Sequence, residues 1–393
     1  MVTTRDENLT PKKERATKTS KVIPKVVSID IGYGHVKVVC GENSVLFPTE
    51  IGIYSSKGRL GDLITSTHED NLNSMIVQNE GVIYAVGKSA SHADTVLKRI
   101  KDDNVRFEAD EFRILIAVAI HLTSGGGDVY ISTGLPIGYH QKQKDKFREY
   151  LLSEDLDLNI EWLSGVAMET DGEGNVEQPF EKINIVGASV YPQGLSAVYP
   201  ALMDGNGIST EYTEDIEEGS YIALVDIGMR TLDSAVVEMD GDALNYTTVG
   251  RYTYMDDTLG YSRFLEIFLT EAESKIDTAI PPSALERVVA NVKKKGYFKT
   301  QKGKYELKEE YEESRRTVAN MIYSSLTKKW GSEMELFNVI FVLGGGGTFF
   351  FDDLKELFAN KGINIVLVDN AQFANTNGYN IFGNVAVNQL LNS

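Results

Sequence analysis

Two segments far apart in this chain carry the same chemically suggestive pattern. The first is Asp30-Ile31-Gly32-Tyr33-Gly34-His35-Val36-Lys37, and the second is Asp226-Ile227-Gly228-Met229-Arg230-Thr231-Leu232-Asp233. In each, an acid ends a run of β-branched and aliphatic residues and a glycine follows two positions on. Glycine lets backbone N–H groups approach an anion that a side chain would block. Lys37 stands in the returning strand, within reach of a β- or γ-phosphate, and Asp30 is placed for a magnesium ion, which keeps most of its waters and is held by few carboxylates. The second turn offers the same parts: Gly228 for close approach, the Thr231 hydroxyl as a donor, and Asp226 as another carboxylate acting through water. One such turn is weak evidence, because hairpins use Asp and Gly for backbone reasons alone. Its recurrence points to phosphate chemistry gripped from two sides.

A third glycine-rich element, Phe341-Val342-Leu343-Gly344-Gly345-Gly346-Gly347-Thr348, sits between an apolar run and a helical pattern. Four consecutive glycines are costly in chain entropy. A loop whose backbone must lie flat against a ligand accounts for that cost.

These turns need strands to hold them. Val26–Ile31 reads as a buried strand, with returning strands over 36–39 and 44–47. Residues 49–109 read as irregular, with one strand over 82–86, and as a candidate small surface subdomain. Helices are expected over 109–122 and 141–152, and strands over 129–132 and 183–190. The pattern then restarts: strands over 221–226, 232–237 and 244–251, and helices over 258–273, 283–294 and 308–329. A strand over 339–343, a helix over 350–359, a strand over 363–368 and a terminal helical segment from Ala371 complete it. One supersecondary unit therefore occurs twice. The expected division is a disordered basic tail over 1–24, one lobe over 25–192 to which 371–393 return, and a second lobe over 193–370, with a cleft between them.

Composition removes several classes. The chain has 393 residues, enough for two cores, and no run of roughly 18–20 apolar residues that would cross a bilayer. A single cysteine, Cys40, excludes a disulfide framework and fits a cytoplasmic location. Five scattered histidines give no zinc spacing. A formal charge of −18, with 39 basic against 57 acidic residues, argues against direct nucleic-acid binding by the folded body. The exception is the tail, where Arg5, Lys12, Lys13, Arg15, Lys18, Lys21 and Lys25 face only Asp6, Glu7 and Glu14.

Taken in order, these residues resemble the actin superfamily, and among its members the ParM-like plasmid-partitioning actins of bacteria and their archaeal relatives. The resemblance runs from Val26 to about Phe382. Asp30-x-Gly32-x-Gly34 with Lys37 is similar to the family's first phosphate loop, Asp226-x-Gly228 with Thr231 to its second, and Gly344–Gly347 to the loop under the adenosine. Ser132-Thr133-Gly134-Leu135-Pro136 and Phe373-Ala374-Asn375 with Gly378-Tyr379 resemble segments particular to the ParM-like branch. Two departures stand out: His35 replaces a Ser or Thr, and Met229 and Arg230 stand where many relatives have small residues.

The resemblance implies an α/β, actin-like ATPase fold of two duplicated ribonuclease-H-like lobes around a nucleotide cleft. It implies ATP (GTP remaining open) with Mg2+, held by Asp30 and Asp226 through water, and a water-orienting role for Gln193 beside those two acids. Gly32, Tyr33, Gly34, His35, Lys37, Gly228, Met229, Arg230, Thr231, Gly260 and Gly344 through Gly347 become the expected nucleotide contacts. Gly260 enters through Asp256-Asp257-Thr258-Leu259-Gly260, which resembles an adenosine-side segment and also reads as a helix cap. The implied function is an ATP-hydrolysing, head-to-tail filament that moves plasmid DNA through an adaptor protein, without membrane contact. Two alternatives use the same fold. A sugar- or acetate-kinase-like phosphotransferase needs an acid near the γ-phosphate, for which Asp233 is the available residue. A membrane-associated scaffold commonly uses an amphipathic terminal anchor, which the basic N-terminal segment, poor in apolar residues, and the short polar C-terminal segment are not expected to supply.

Overall fold

The computed structural model describes residues 23–55, 72–97, 106–168, 177–203, 216–240 and 246–392. All but the last two residues of the expected tail lie outside this range. Three strands open the chain, β1 (Lys25–Ile31), β2 (His35–Cys40) and β3 (Asn43–Pro48). Their boundaries follow the β-branched runs Val26-Val27 and Val36 to Val39, broken where glycine admits a turn. Next come β4 (Ile51–Tyr54), β5 (Ile76–Asn79), β6 (Val82–Val86), β7 (Thr95–Val96), α1 (Asp110–Ser124), β8 (Gly127–Leu135), α2 (Ile137–Leu151), β9 (Glu161–Ser164) and β10 (Ile183–Pro192).

The first sheet has the order β10-β8-β1-β2-β3, with β1 parallel to β8 and antiparallel to β2. A second sheet, β7-β4-β6-β5-β9, forms the small subdomain. The described part of 49–109 thus holds more regular structure than the sequence pattern predicts. Their strands are two to five residues long, too short for a legible alternation, and β5 pairs with β9 from far along the chain.

The second lobe repeats the plan. It contains α3 (Val198–Leu202), β11 (Tyr221–Ile227), β12 (Leu232–Met239), β13 (Tyr246–Thr248), β14 (Tyr254–Asp256), α4 (Tyr261–Ile276), α5 (Pro282–Lys295), β15 (Tyr297–Lys299), β16 (Lys304–Glu306), α6 (Lys308–Trp330), β17 (Phe337–Leu343), α7 (Gly345–Ala359) and β18 (Ile365–Leu367). The chain closes with α8 (Ala374–Asn392). The sheet order β13-β12-β11-β17-β18 mirrors the first sheet, with the central strand again antiparallel to the strand after its turn and parallel to the next.

β11 is buried on both faces, which explains its unbroken apolar run. Ala223, Val225 and Ile227 enter the core built by α4 to α7, while Ile222 and Leu224 enter one shared with Leu195, Val198 and Ala374. In the first lobe Val27, Ile29 and Ile31 face the α1 core. The opposite face of that sheet takes α8. Val26, Tyr130 and Val387 pack together there, and the Ser132 hydroxyl donates to the Tyr379 carbonyl at 2.6 Å. Gly383 makes the approach possible, because a Cβ there would lie 2.7 Å from Val26 Cγ1 and 2.8 Å from Ser132 Cβ.

Candidate functional site

Both Asp-x-Gly turns close with the same backbone bond: Gly32 N donates to His35 O at 3.0 Å, and Gly228 N to Thr231 O at 2.9 Å. The two sheets place them in equivalent registers, pairing Asp30 with Lys37 and Asp226 with Asp233. A cavity of about 550 Å³ lies between the turns. Its wall takes Asp30, Gly32, Tyr33, Gly34, His35 and Lys37 from the first turn, and Asp226, Gly228, Met229 and Thr231 from the second. Gln193 and Gly344, Gly345 and Gly346 complete the expected set within it. A space of this size lies in the range of small-molecule and cofactor sites.

Three expected residues stand outside the cavity wall. Arg230 turns away and lays its guanidinium over the Tyr33 ring, 4.6 Å from the centroid, so that the two turns touch across the cleft. Gly260 supports the second turn from behind: Tyr261 N and Ser262 N donate to the carbonyls of Gly228 and Met229 at 3.0 and 2.7 Å. A Cβ at Gly260 would lie 2.8 Å from the Arg230 carbonyl carbon. Gly347 packs on Val342, where a Cβ would sit 3.1 Å from Cγ1.

Local structure departs from expectation at three points. Gly344–Gly347 are not a loop followed by a separate helix. α7 begins at Gly345, so the glycines form a helix N-terminus pressed onto the second turn, where a Cβ at Gly346 would lie 2.7 Å from Ile227 Cγ2. Free N–H groups of a helix start make a good anion seat. The strand expected over 183–190 runs on to Pro192, so Gln193 follows the last residue of β10, and its N–H donates to Leu135 O at 2.8 Å. Asp256 does not cap α4, whose N-cap is Gly260. The Asp256 carboxylate instead accepts from the N–H and hydroxyl of Thr258 at 3.0 and 2.6 Å.

The polar interior is closely connected. Lys37 Nζ pairs with Asp30 Oδ2 at 2.7 Å, and the Gln193 amide donates to Asp30 Oδ1 at 3.0 Å. Asn375 of α8 donates to Asp226 Oδ2 at 2.6 Å, and its own oxygen accepts from Gly194 N at 2.9 Å. Asp233, the register partner of Asp226, accepts the N–H of Ile137 at 3.1 Å, so an acid of the second lobe holds the start of a first-lobe helix. Burial pushes the Asp226 carboxyl up to about 6; the Lys37 charge and the Asn375 amide oppose the rise and the Asp30 charge adds to it. Burial, followed by the Asp226 charge, takes Asp233 to about 7 against the hydroxyl of Thr231 and the amide of Ile137. Both rises come first from burial, and a cation bound beside these carboxylates would lower them again.

Sequence reasoning missed part of the wall. Tyr261, Glu286, Val289, Ala290, Lys293 and Phe349 line the end of the cavity toward α4, α5 and α7. Glu286, Ala290 and Lys293 share one face of α5, a helical spacing readable in sequence but bearing no motif. Asn375 was legible only as part of a resembling segment.

Sequence comparison with curated proteins gives no match. The family profile described as Actin like proteins N terminal domain matches residues 28–195, and that described as Archaeal actin homologue MreB-like, C-terminal, matches 224–356. Among solved structures, the subunit of a 15-stranded ParM filament from Clostridium botulinum superposes with a TM-score of 0.73 at 22% identity, covering 93% of this chain and 100% of that one. The archaeal actin homologue Ta0583 in complex with ADP gives 0.65 at 19%, covering 91% and 98%. Bacillus thuringiensis ParM with ADP gives 0.62 at 18%, covering 93% and 99%. With an actin-type profile on each lobe, a duplicated sheet and two facing Asp-x-Gly turns, this chain belongs to the actin superfamily and has the actin-like ATPase fold, shared with the ParM and Ta0583 structures.

Proposed function

We propose that this chain is a nucleotide-dependent, filament-forming ATPase that positions plasmid DNA through an adaptor protein. The observation that carries the reading is the convergence of Asp30 and Asp226, from duplicated turns of opposite lobes, on one cavity floored by the glycine start of α7. Solved relatives are described with ADP or AMPPNP, and one as a filament.

The donor set fits a magnesium nucleotide. Two buried carboxylates and no cluster of three or more metal-ligating side chains among the described residues suit a cation that keeps its waters and leans on the ligand's phosphates. Asp30 and Asp226 would hold that ion through water, and bound there it would neutralise phosphate charge. The turn N–H groups, the Thr231 hydroxyl and Lys37 bind and orient the phosphates. Gln193 has its amide nitrogen committed to Asp30, which leaves its oxygen to accept from an attacking water. A glutamine is no strong base, but orientation is most of what phosphoryl transfer needs from a protein. Contacts that both turns make to one phosphate chain favour the closed lobes, and their loss on hydrolysis loosens the assembly.

A kinase-like reading finds less support. Asp233, the acid available to it, is 1% exposed, bonded to Ile137 N and absent from the cavity wall. No helix among the described residues is long and apolar enough to cross a membrane. The decisive measurement is light scattering with phosphate release in Mg·ATP. Wild type should scatter and release phosphate. Asp226→Ala should release little, and Gln193→Ala should bind nucleotide but release phosphate slowly. Hydrolysis by Gln193→Ala at the wild-type rate would remove the water-positioning role, and wild type that stays monomeric with Mg·ATP would remove the polymer.

A further inference from the structure

The strongest reversal of charge in the folded chain lies at the end of α5 and in the hairpin after it. Seven of the sixteen residues from Lys293 to Lys308 are lysine and one, Glu306, is acidic, in a chain of net charge −18. Compensation of the helix dipole accounts for lysines in the last turn of α5. It does not account for the continuation through β15 and β16. Lys304 pairs with Glu306 at 2.5 Å and Lys308 with Glu312 at 3.7 Å. Lys294, Lys295 and Lys299 are exposed and have no acidic partner among the described residues.

The complementary surface belongs to the other lobe. Glu80, Asp110 and Asp157 gather around Arg113, whose guanidinium is 4.0 Å from Glu80, 3.3 Å from Asp110 and 3.3 Å from the Asp157 carbonyl. Glu154 and Asp155, in the segment that leads into Asp157, are exposed. Among the described residues no ion pair joins the rim to the lysine hairpin within one chain.

We propose that the α5–hairpin segment is an assembly surface that docks the acidic rim of a second copy of this chain. A positive face on one lobe and a negative face on the other make a heterologous contact, the kind that builds an open polymer when the rotation between subunits does not close a ring. The local attraction also offsets the repulsion that subunits of charge −18 would otherwise feel on approach. The chemistry of the patch favours a carboxylate surface over nucleic acid. Phe298 and Tyr305 pack against the core of the second lobe, and Lys304 covers the Tyr297 ring at 4.0 Å, so no open aromatic platform stands between the lysines for bases to stack on. The segment holds no arginine for bidentate phosphate contacts.

Because assembly is itself proposed for this chain, the test must separate the two. Full-length wild type, the reversal Lys294→Glu/Lys295→Glu/Lys299→Glu and the opposite reversal Glu154→Lys/Asp155→Lys are sedimented with Mg·ATP at 50 to 400 mM KCl, numbers on the order of the range over which screening removes surface attraction. Nucleotide affinity, measured in parallel, should be unchanged in both variants. The expected result is a critical concentration at least tenfold higher for the lysine reversal, growing worse for wild type with salt, and recovery of pelleting when the two variants are mixed. Wild-type pelleting by the lysine reversal, or failure of the mixture to recover, would overturn the docking assignment while leaving the polymer intact. Wild type that never pellets would overturn both. Retardation of duplex DNA by wild type, lost in the lysine reversal with pelleting unaffected, would reassign the patch to nucleic acid.

Discussion

Asn375 lies where three parts of the molecule meet, and its replacement by alanine is the most informative single change. Its amide donates to Asp226 at 2.6 Å and its oxygen accepts from Gly194 N at 2.9 Å, with the residue 6% exposed. The first bond ends on a carboxylate and is worth roughly 2 kcal/mol, and the second, between neutral groups, about 1 kcal/mol. Losing both costs about 3 kcal/mol. Spread over the unfolding entropy of a chain this size, that lowers Tm by about 4 °C. The functional consequence is larger than the stability loss implies. Asn375 tethers the residue after Gln193 to Asp226, so without it the Gln193 segment and the second turn are no longer held in register. Differential scanning fluorimetry and phosphate release, both run with and without Mg·ATP, read the two effects. Expected are a Tm lowered by several degrees without nucleotide, and a phosphate-release rate lowered at least tenfold at saturating ATP. Asn375→Asp should be worse than alanine, because it trades the donor for a second carboxylate against Asp226. A Tm within 1 °C of wild type, with an unchanged rate, would refute the bridging role.

Three further outcomes follow from the geometry. Gly344→Ala should abolish measurable binding of a fluorescent ATP analogue, since Gly344 has φ +84° and a Cβ there would overlap Asp226 Oδ1; wild-type affinity would contradict the close approach. Arg230→Ala removes the stack on Tyr33 across the cleft, worth about 1 kcal/mol. Stopped-flow displacement should then show nucleotide release roughly fivefold faster, by the usual conversion of free energy to rate, and an unchanged rate would mean that the stack does not hold the lobes. In the first lobe, His121 accepts from Trp162 Nε1 at Nδ1 (3.0 Å) and donates from Nε2 to the Glu181 carbonyl (3.2 Å), and burial holds its pKa down at about 4. The unfolded chain takes up this proton first, near 6.5, so stability falls as pH drops from 6.5 toward 4, by on the order of 3 kcal/mol. Asp226 and Asp233 shift the opposite way, so the comparison to make is urea denaturation of wild type against His121→Gln across that window. Parallel pH profiles for the two would refute the assignment.

What the chain's order of residues decided by itself is local. An acid, a glycine two positions on and a β-branched flank are enough to shape each turn, because every bond that closes it lies within a few residues, as Gly32 N to His35 O and Gly228 N to Thr231 O do. The duplication was therefore readable, and with it the two lobes and the cleft. The short strands β4 and β7 were not, since their partners come from distant segments, and neither was β5, which turns directly into β6 but also pairs with the distant β9; pairing rather than propensity makes them strands. The same holds for the site. Lys37 and Asp233 occupy the same register position in the two duplicated hairpins, yet one neutralises Asp30 and the other holds the first N–H of α2. Only the packing of one lobe on the other assigns those roles. Asn375 reaches Asp226, and Arg230 leaves the cavity for Tyr33, for the same reason: burial and charge are properties of the assembled interior, which no local stretch of chain contains.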